Sequence, residues 1–468
     1  MVTRREFLAG LTTGAAGAAA AAAAVAMGQP LIAAAQAATR SPSRPPNVVF
    51  ILIDDLGWRD VGFMGSKFYE TPRIDKFAAQ SMVFPSAYTC GPNCAPTRAC
   101  LLSGQYTPRH GVYTVGQSAR GGAKPKLALP QNQTTLDASF ITFAEALAPA
   151  RYVKASIGKW HLGNDPELGP RAQGFDVNFG GSIAGNPVTY FSPYKMRVLP
   201  DGPPGEYLTD RLTDEALQFI TANKDRPFFL YLPQYAVHTP LQAKTDMIAK
   251  YAKKPPDNGQ SNATYAAMIE STDDGVGRIL DKLDELGLAD NTIVFFTSDN
   301  GGLLKVTSNQ PLRGGKGMLY EGGIRVPLAV RWPGHIKPGS KCDTPVTSVD
   351  FYPTFLDLAG APAPAGHTLD GESLVPLLTG AGTLKRESIY WHFPCYLDVR
   401  TTPVGAIRRG DWKLMEFFED GSLELYNTRD DLSETKNLAA ALPDKTKELH
   451  TLLVAWQHAV NAPIPKPL

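Results

Sequence analysis

The chain is short of cysteine, of net charge and of strongly lipophilic runs, and each shortage closes off a class of protein. Five cysteines, at positions 90, 94, 100, 342 and 395, serve 468 residues, too few for a disulfide framework to be the main scaffold. Which of them pair is not readable from their spacing. Basic and acidic residues nearly cancel to a net charge of +1, and with no basic run or arginine-rich stripe, nothing points to nucleic acid as a partner. The stretch from Gly14 to Met27 is uncharged but mostly alanine. It lacks the Leu, Ile and Phe content that makes a spanning helix favourable, so no stable membrane partner is expected. Internal repeats are absent from the rest of the chain as well.

That alanine-rich run reads instead as part of an export address. Arg4 and Arg5 precede it and Ala35-Gln36-Ala37 follows it, the pattern of a twin-arginine signal with a small-residue cleavage site over residues 1–37. The expected destination is the periplasm or the medium, reached by transient contact with the twin-arginine translocase. The remaining chain is long for one domain, so a large unit plus a smaller one is the natural division.

Short apolar runs mark the large unit. Asn47 to Ile53 is continuous, β-branched and aromatic, as a strand buried on both faces of a parallel sheet should be. Tyr152 to Ile157, Phe228 to Leu232 and Thr292 to Thr297 repeat that pattern. They alternate with helical patterns over Pro72 to Gln80, Phe140 to Ala148, Asp210 to Asn223 and Tyr265 to Leu286. This alternation predicts an α/β fold, with a large mostly parallel sheet flanked by helices. A Pro/Gly/Ala stretch from Gly360 to Gly366 then reads as a linker. Beyond it, short strand patterns at 388–393, 405–408, 412–417 and 423–426 and a helix over about 444–460 predict a smaller C-terminal antiparallel sheet plus helix. The expected division is a catalytic domain over 45–360 and an α+β subdomain over 367–468.

In open parallel sheets, ligands bind beyond the carboxyl ends of the strands. Asp54-Asp55, Lys159 with His161, His238, and Asp299-Asn300 each follow one of the four predicted strands, so a single topological assumption gathers them at one edge. Taken singly, Asp54-Asp55 could be a helix start and Asp299-Asn300 a turn. Two adjacent carboxylates repel unless a cation or donors compensate, and a second acidic pair at the same edge makes an all-oxygen set suited to Ca²⁺ or Mg²⁺.

Cys94-Ala95-Pro96-Thr97-Arg98, running into the helix-like Ala99 to Gly104, resembles the signature of the sulfatase family. The segments Gly158-Lys159-Trp160-His161, Val237-His238-Thr239-Pro240, Leu312-Arg313-Gly314-Gly315-Lys316-Gly317 and Glu321 to Pro327 are similar to further stretches of that family. The resemblance implies an alkaline phosphatase-like fold and hydrolysis of sulfate esters of carbohydrates or aryl alcohols. It also implies that Cys94 is converted by a formylglycine-generating enzyme to formylglycine, and that Asp54, Asp55, Asp299 and Asn300 hold one divalent cation, calcium or magnesium, in contact with residue 94.

By the same resemblance, Arg98, Lys159 and Lys316 neutralise the sulfate oxygens. A hydroxyl of the aldehyde hydrate, its pKa lowered by the metal, attacks sulfur. His238, assisted by Lys316, protonates the departing alcohol, and His161 takes the proton of the second hydroxyl so that sulfate is eliminated and the aldehyde regenerated. Two departures from the family pattern stand out: Thr97 where serine is commoner, and Ser103-Gly104-Gln105 where Thr-Gly-Arg is usual. Rival readings are a phosphonate or phosphoester hydrolase of the same superfamily using Thr97, and a noncatalytic protein that binds oxyanions or glycans. Asn300 bears on the first rival, because phosphonate monoester hydrolases carry histidine at that place. For the leaving-group side, the chain offers His110, Asn186, Tyr190, Tyr194 and His392, whose aromatic rings would suit sugar faces.

Overall fold

The strand Asn47–Ile53 is buried along its whole length and divides its side chains between two cores. Val49, Ile51 and Ile53 enter one, and Val48, Phe50 and Leu52 the other, as the two-residue period of a strand requires. In this computed structural model, which describes residues 44–468 apart from positions 123 and 399, the strand is the middle of an eight-stranded sheet. The expected export segment over 1–37 lies outside the described residues.

Parallel neighbours flank this strand on both sides. Phe50 stands opposite Tyr231 of Phe228–Pro233 and opposite Phe295 of Thr292–Ser298. Val153–Ile157 lies parallel to Phe228–Pro233, and Val177–Phe179 closes that side. On the other side, Leu328–Arg331 runs antiparallel to both of its neighbours, Thr292–Ser298 and Met82–Val83. The sheet is therefore mostly parallel, with one reversed strand.

Helices cover both faces, as the fully apolar strands demand. Leu208–Ala222 and Ala263–Glu285 bury Leu212, Phe219, Met268 and Ile279 in the first core. Cys94–Ser103 and Phe351–Ala359 pack on the second, where Phe351 and Phe355 meet the Phe50 ring edge-on at centroid distances of 4.9 and 5.4 Å. One expected helix is much shorter than its pattern. Only Phe143–Ala146 of the Phe140 to Ala148 stretch is α-helical, starting at a Thr142–Glu145 capping box and giving way to a 3₁₀ turn at Ala148–Ala150. Pro149 explains the stop, since it has no N–H for the ladder and disfavours helical geometry at the residue before it.

Beyond residue 387 four antiparallel strands, Ser388–Phe393, Val404–Arg409, Trp412–Phe417 and Leu423–Asn427, form the smaller sheet. The helix Pro443–Ala459 covers one face through Leu449 and Leu453 against Ile407, Leu414 and Leu425. The opposite face buries Trp391, Phe393 and Met415 with Tyr88, Leu319 and Ile324.

A buried ionic cluster crosses that second contact. Lys413 Nζ donates to Glu321 Oε1 at 3.1 Å and to Glu434 Oε1 at 2.8 Å, and all three side chains are shielded from solvent. Tyr88 and Arg325 complete the shell of Glu321 at 2.7 and 3.1 Å. Burial, and then the charge of Glu321, outweigh Lys413 and push the Glu434 carboxyl from 4.5 up to about 7. The folded state thus holds this proton more tightly than the unfolded chain. Its stabilising contribution is complete below about pH 4.5 and is lost as pH rises through about 7. Glu434→Gln is expected to flatten the pH dependence of the melting temperature across that window. An unchanged slope would remove Glu434 as its source.

Candidate active site

The four parallel strands Thr292–Ser298, Asn47–Ile53, Phe228–Pro233 and Val153–Ile157 are consecutive in the sheet, so the residues that follow them share one edge. Cys94 is the first residue of the Cys94–Ser103 helix and faces that edge, with the helix N-terminus supplying positive potential. A sulfur of Cys94 and carboxylate oxygens of Asp54 and Asp299 lie within 4.8 Å of one another, as do ligand atoms of Asp54, Asp55 and His238.

Close backbone packing brings these loops together. Gly158 has φ +123°, and a Cβ there would sit 2.0 Å from the Pro233 carbonyl oxygen, so only glycine lets Lys159 N–H reach that same carbonyl at 2.7 Å. Gly301 does the same after Asn300, where a Cβ would fall 1.8 Å from the Gly322 carbonyl oxygen. Asp55 itself has φ +62°, and the Tyr265 hydroxyl holds it, lying 3.0 Å from the Asp55 carbonyl and 2.7 Å from Asp60 Oδ2. Asp60 also accepts from Gly57 N–H, Gln260 and Thr307. Sequence reading missed this support, because nothing local to Asp60 or Tyr265 signals that they meet.

Charges within the site are matched closely. Lys159 Nζ lies 2.5 Å from Asp54 Oδ2, and Lys316 Nζ 2.5 Å from Asp55 Oδ1. Burial alone would raise the Asp55 carboxyl, but Lys316, His238 and Lys159 outweigh it and hold it well below its ordinary range. Asp54 goes the other way: burial, then Asp299, overcome Lys159 and raise it well above. The Cys94 thiol is lowered despite burial, because Lys159 and Lys316 favour the thiolate.

Arg98, expected to neutralise sulfate oxygens, is fully buried and donates to the protein from each of its three guanidinium nitrogens. Its Nε and Nη2 donate to Asp299 Oδ2 at 2.9 and 2.7 Å, and its Nη1 to the Lys159 carbonyl at 2.8 Å. It positions two loops of the site. Thr97 is hydrogen-bonded as well, its hydroxyl donating to the Gly91 carbonyl at 3.0 Å.

The two histidines differ in setting. His238 Nδ1 lies 2.7 Å from the Thr239 carbonyl, so Nδ1 carries the proton and Nε2 is the free nitrogen, 3.7 Å from Asp55. Burial, with Lys316 and Lys159 against Asp55, lowers its pKa. His161 is lowered much further, by burial and then by Lys159, Arg98 and Lys316, and is therefore a neutral imidazole at neutral pH. Gly185 lies against that ring, where a Cβ would come within 2.6 Å of Nε2.

Whether these residues suit a cation is tested by their unpartnered atoms. Asp54 Oδ1 and Asn300 Oδ1 are buried and accept no hydrogen bond, while Asn300 Nδ2 donates to Asp55 Oδ1 at 2.8 Å. A buried acceptor left without a donor is costly. Two of them, beside a carboxylate that burial and like charge disfavour, form an oxygen set that fits a hard divalent cation.

The expected leaving-group residues separate. Asn186 is exposed and follows Gly185 at the His161 ring. The others are structural. Tyr190 is fully buried and shares its hydroxyl proton between the carbonyls of Tyr235 and His238 at 2.7 and 2.8 Å. Tyr194 donates to Glu206 at 2.7 Å. His110 packs against Cys100, and burial pushes it down to about 3. His392 lies in the smaller sheet beside the Pro463 carbonyl, pushed down to about 4, again by burial. None of the five cysteines is in a disulfide.

Comparison with known proteins agrees with this arrangement. The Sulfatase family model matches residues 46–361, and one described as N-sulphoglucosamine sulphohydrolase, C-terminal, matches residues 315–458. A sulfatase of Formosa agariphila is 36% identical over 518 aligned residues, covering 93% of this chain and 92% of that protein. N-acetylgalactosamine-6-sulfatase of Canis lupus familiaris is 33% identical over 464, covering 92% and 83%. Among solved structures, Ps i-CgsB superposes with a TM-score of 0.74 at 31% identity, covering 88% of this chain and 93% of that one. It has also been solved in complex with k-i-k-neocarrahexaose.

Proposed function

Since this chain belongs to the sulfatase family and is a sulfuric ester hydrolase, we propose that it cleaves sulfate esters of saccharides through an aldehyde formed at Cys94, beside a divalent cation. The observation that carries this reading is the meeting of Cys94, Asp54 and Asp299 within 4.8 Å at the sheet edge, with two lysines on the neighbouring carboxylates. The relatives named for N-acetylgalactosamine-6-sulfate cleavage and the neighbour complexed with k-i-k-neocarrahexaose support a saccharide as the carrier.

As its hydrate, the aldehyde would supply an oxygen nucleophile and a second hydroxyl through which the covalent sulfate can leave, an exit that serine or an unmodified thiol lacks. A cation held by Asp54, Asp55, Asp299 and Asn300 would supply positive charge that favours an ionised oxygen at position 94. Lys159 and Lys316 bring two ammonium groups to where the sulfate oxygens must sit, offsetting the repulsion between an anionic ester and an anionic nucleophile. His238 is anchored through Nδ1 to Thr239 with Nε2 beside Asp55; as the imidazolium, the form that Asp55 favours, it would give the Nε2 proton to the leaving oxygen and be left as the neutral Nδ1–H ring. His161, neutral because burial and three cations disfavour its charged form, takes the proton of the second hydroxyl.

Sulfate release from sulfated saccharides, measured beside turnover of a phosphonate ester, tests the reading; faster phosphonate cleavage would overturn it. Dialysis against a chelator is expected to lower the melting temperature and to cut activity by about tenfold or more, with both restored by Ca²⁺ or Mg²⁺. No change in either would remove the cation from the scheme. We further propose export by the twin-arginine route, after a formylglycine-generating enzyme has acted on Cys94 in the cytoplasm. Arg4→Lys with Arg5→Lys should then strand the activity inside the cell.

A further inference from the structure

One arginine on the ladder that flanks the Lys316 loop has no anionic partner among the described residues. Arg120 belongs to the two-residue strand Ala119–Arg120, paired parallel with Tyr396–Leu397, and its carbonyl accepts from Asp398 N–H at 2.9 Å. The turn after Leu397 reaches the catalytic loop. Arg400 Nη1 donates to the Lys316 carbonyl at 3.3 Å, and a Cβ on Gly317 would lie 2.4 Å from Leu397 and 3.5 Å from Arg400. Arg120 is thus placed, through this small ladder, on the flank of the Lys316 loop.

Its charge is unanswered. Arg120 is half-buried, its Nε is buried without a hydrogen-bond partner, and among the described residues no carboxylate pairs with it. The one nearby acid, Asp398, is held by Arg400 through Nε at 3.0 Å to both oxygens, and Lys305 also acts on it. Burial first, and Arg400 among its neighbours, lower the Arg120 pKa against the pull of Cys94 and Asp398. A guanidinium held partly out of water, beside another guanidinium and one already paired acid, is costly unless an anion arrives from outside. Guanidinium geometry suits sulfate or carboxylate oxygens.

We propose that Arg120, flanked by Arg400, forms a cationic subsite for a second anionic group, a sulfate or a carboxylate, on the saccharide whose ester is cleaved. The proposal rests on the saccharide reading of the substrate, and it makes the enzyme selective for multiply charged sugars. Nothing in the sequence marks Arg120, because its position depends on pairing with residues near 397.

Binding tests it without turnover. The full chain carrying Cys94→Ala is titrated calorimetrically with a monosulfated monosaccharide, a disulfated monosaccharide and a monosulfated disaccharide ending in a uronic acid. Affinity for at least one doubly anionic ligand is expected to exceed that for the singly anionic one by about tenfold or more. Preference for the disulfated ligand identifies sulfate as the second group, and preference for the uronate identifies carboxylate. Adding Arg120→Met should erase the preference and Arg120→Lys restore part of it. No preference in the parent, no measurable binding of either doubly anionic ligand, or an equal loss on every ligand with Arg120→Met would overturn the subsite. Sulfate release by the protein that retains Cys94 is read separately, so failure of the hydrolytic mechanism and failure of the subsite give different results.

Discussion

Replacing Cys94 with serine is expected to cut steady-state sulfate release by at least about a thousandfold, with the melting temperature nearly unchanged. The side chains are close in size, and Cys94 sits at the first position of a helix, whose fold does not depend on the sulfur. The chemistry does depend on it. A hydroxyl at this position could accept a sulfuryl group but would form an ordinary ester, with no second hydroxyl to drive elimination. The environment already favours an anion there, since Lys159 and Lys316 lower the thiol despite burial. The accompanying measurement is mass spectrometry of the peptide containing Cys94 from the native host. Full turnover by protein that carries only the thiol would sink the aldehyde mechanism.

Asp299→Asn is expected to destabilise the fold by about 3–5 kcal/mol, the range for breaking a buried ion pair from one side. Both side chains of the Arg98–Asp299 pair are fully shielded, with Nη2 and Oδ2 2.7 Å apart. Removing the carboxylate strands the guanidinium, which keeps the Lys159 carbonyl as an acceptor. A counter-effect exists, because Asp299 is the second cause, after burial, that raises Asp54, and its loss relieves that repulsion. This favours the lower end of the range rather than a reversal of sign. Arg98→Met combined with Asp299→Asn should recover part of the loss, since the uncompensated charge is then gone. Denaturant titration reads both variants. A single substitution costing less than about 1 kcal/mol would show that Asp299 does not balance Arg98.

Much of this architecture could be read locally. Continuous apolar runs such as Asn47 to Ile53 and Thr292 to Thr297 fit strands covered on both faces, and the structure's side-by-side order of four such strands brings their carboxyl ends to one edge. Helix ends were read less well, as Pro149 shows, because a single missing N–H ends a pattern that the apolar period alone would continue. Placing side chains by type failed more often. Tyr190, Tyr194, His110 and His392 look like ligands for a sugar, yet each is buried against a hydrogen-bond partner, for Tyr190 and His392 one 45 and 71 positions away. Arg98 looks like a sulfate ligand and instead clamps Asp299.

By itself the sequence determined the strand and helix alternation and the acidic and basic loops that follow the strands, since these depend on residue type and short-range periodicity. Only the tertiary structure decided which charges neutralise one another and which are left for a ligand. Arg98 and Arg120 are the same residue type, and one is paired with Asp299 while the other forms no ion pair among the described residues. That difference is set by contacts between segments far apart in the chain, where burial strengthens every charge interaction, and no local pattern encodes it.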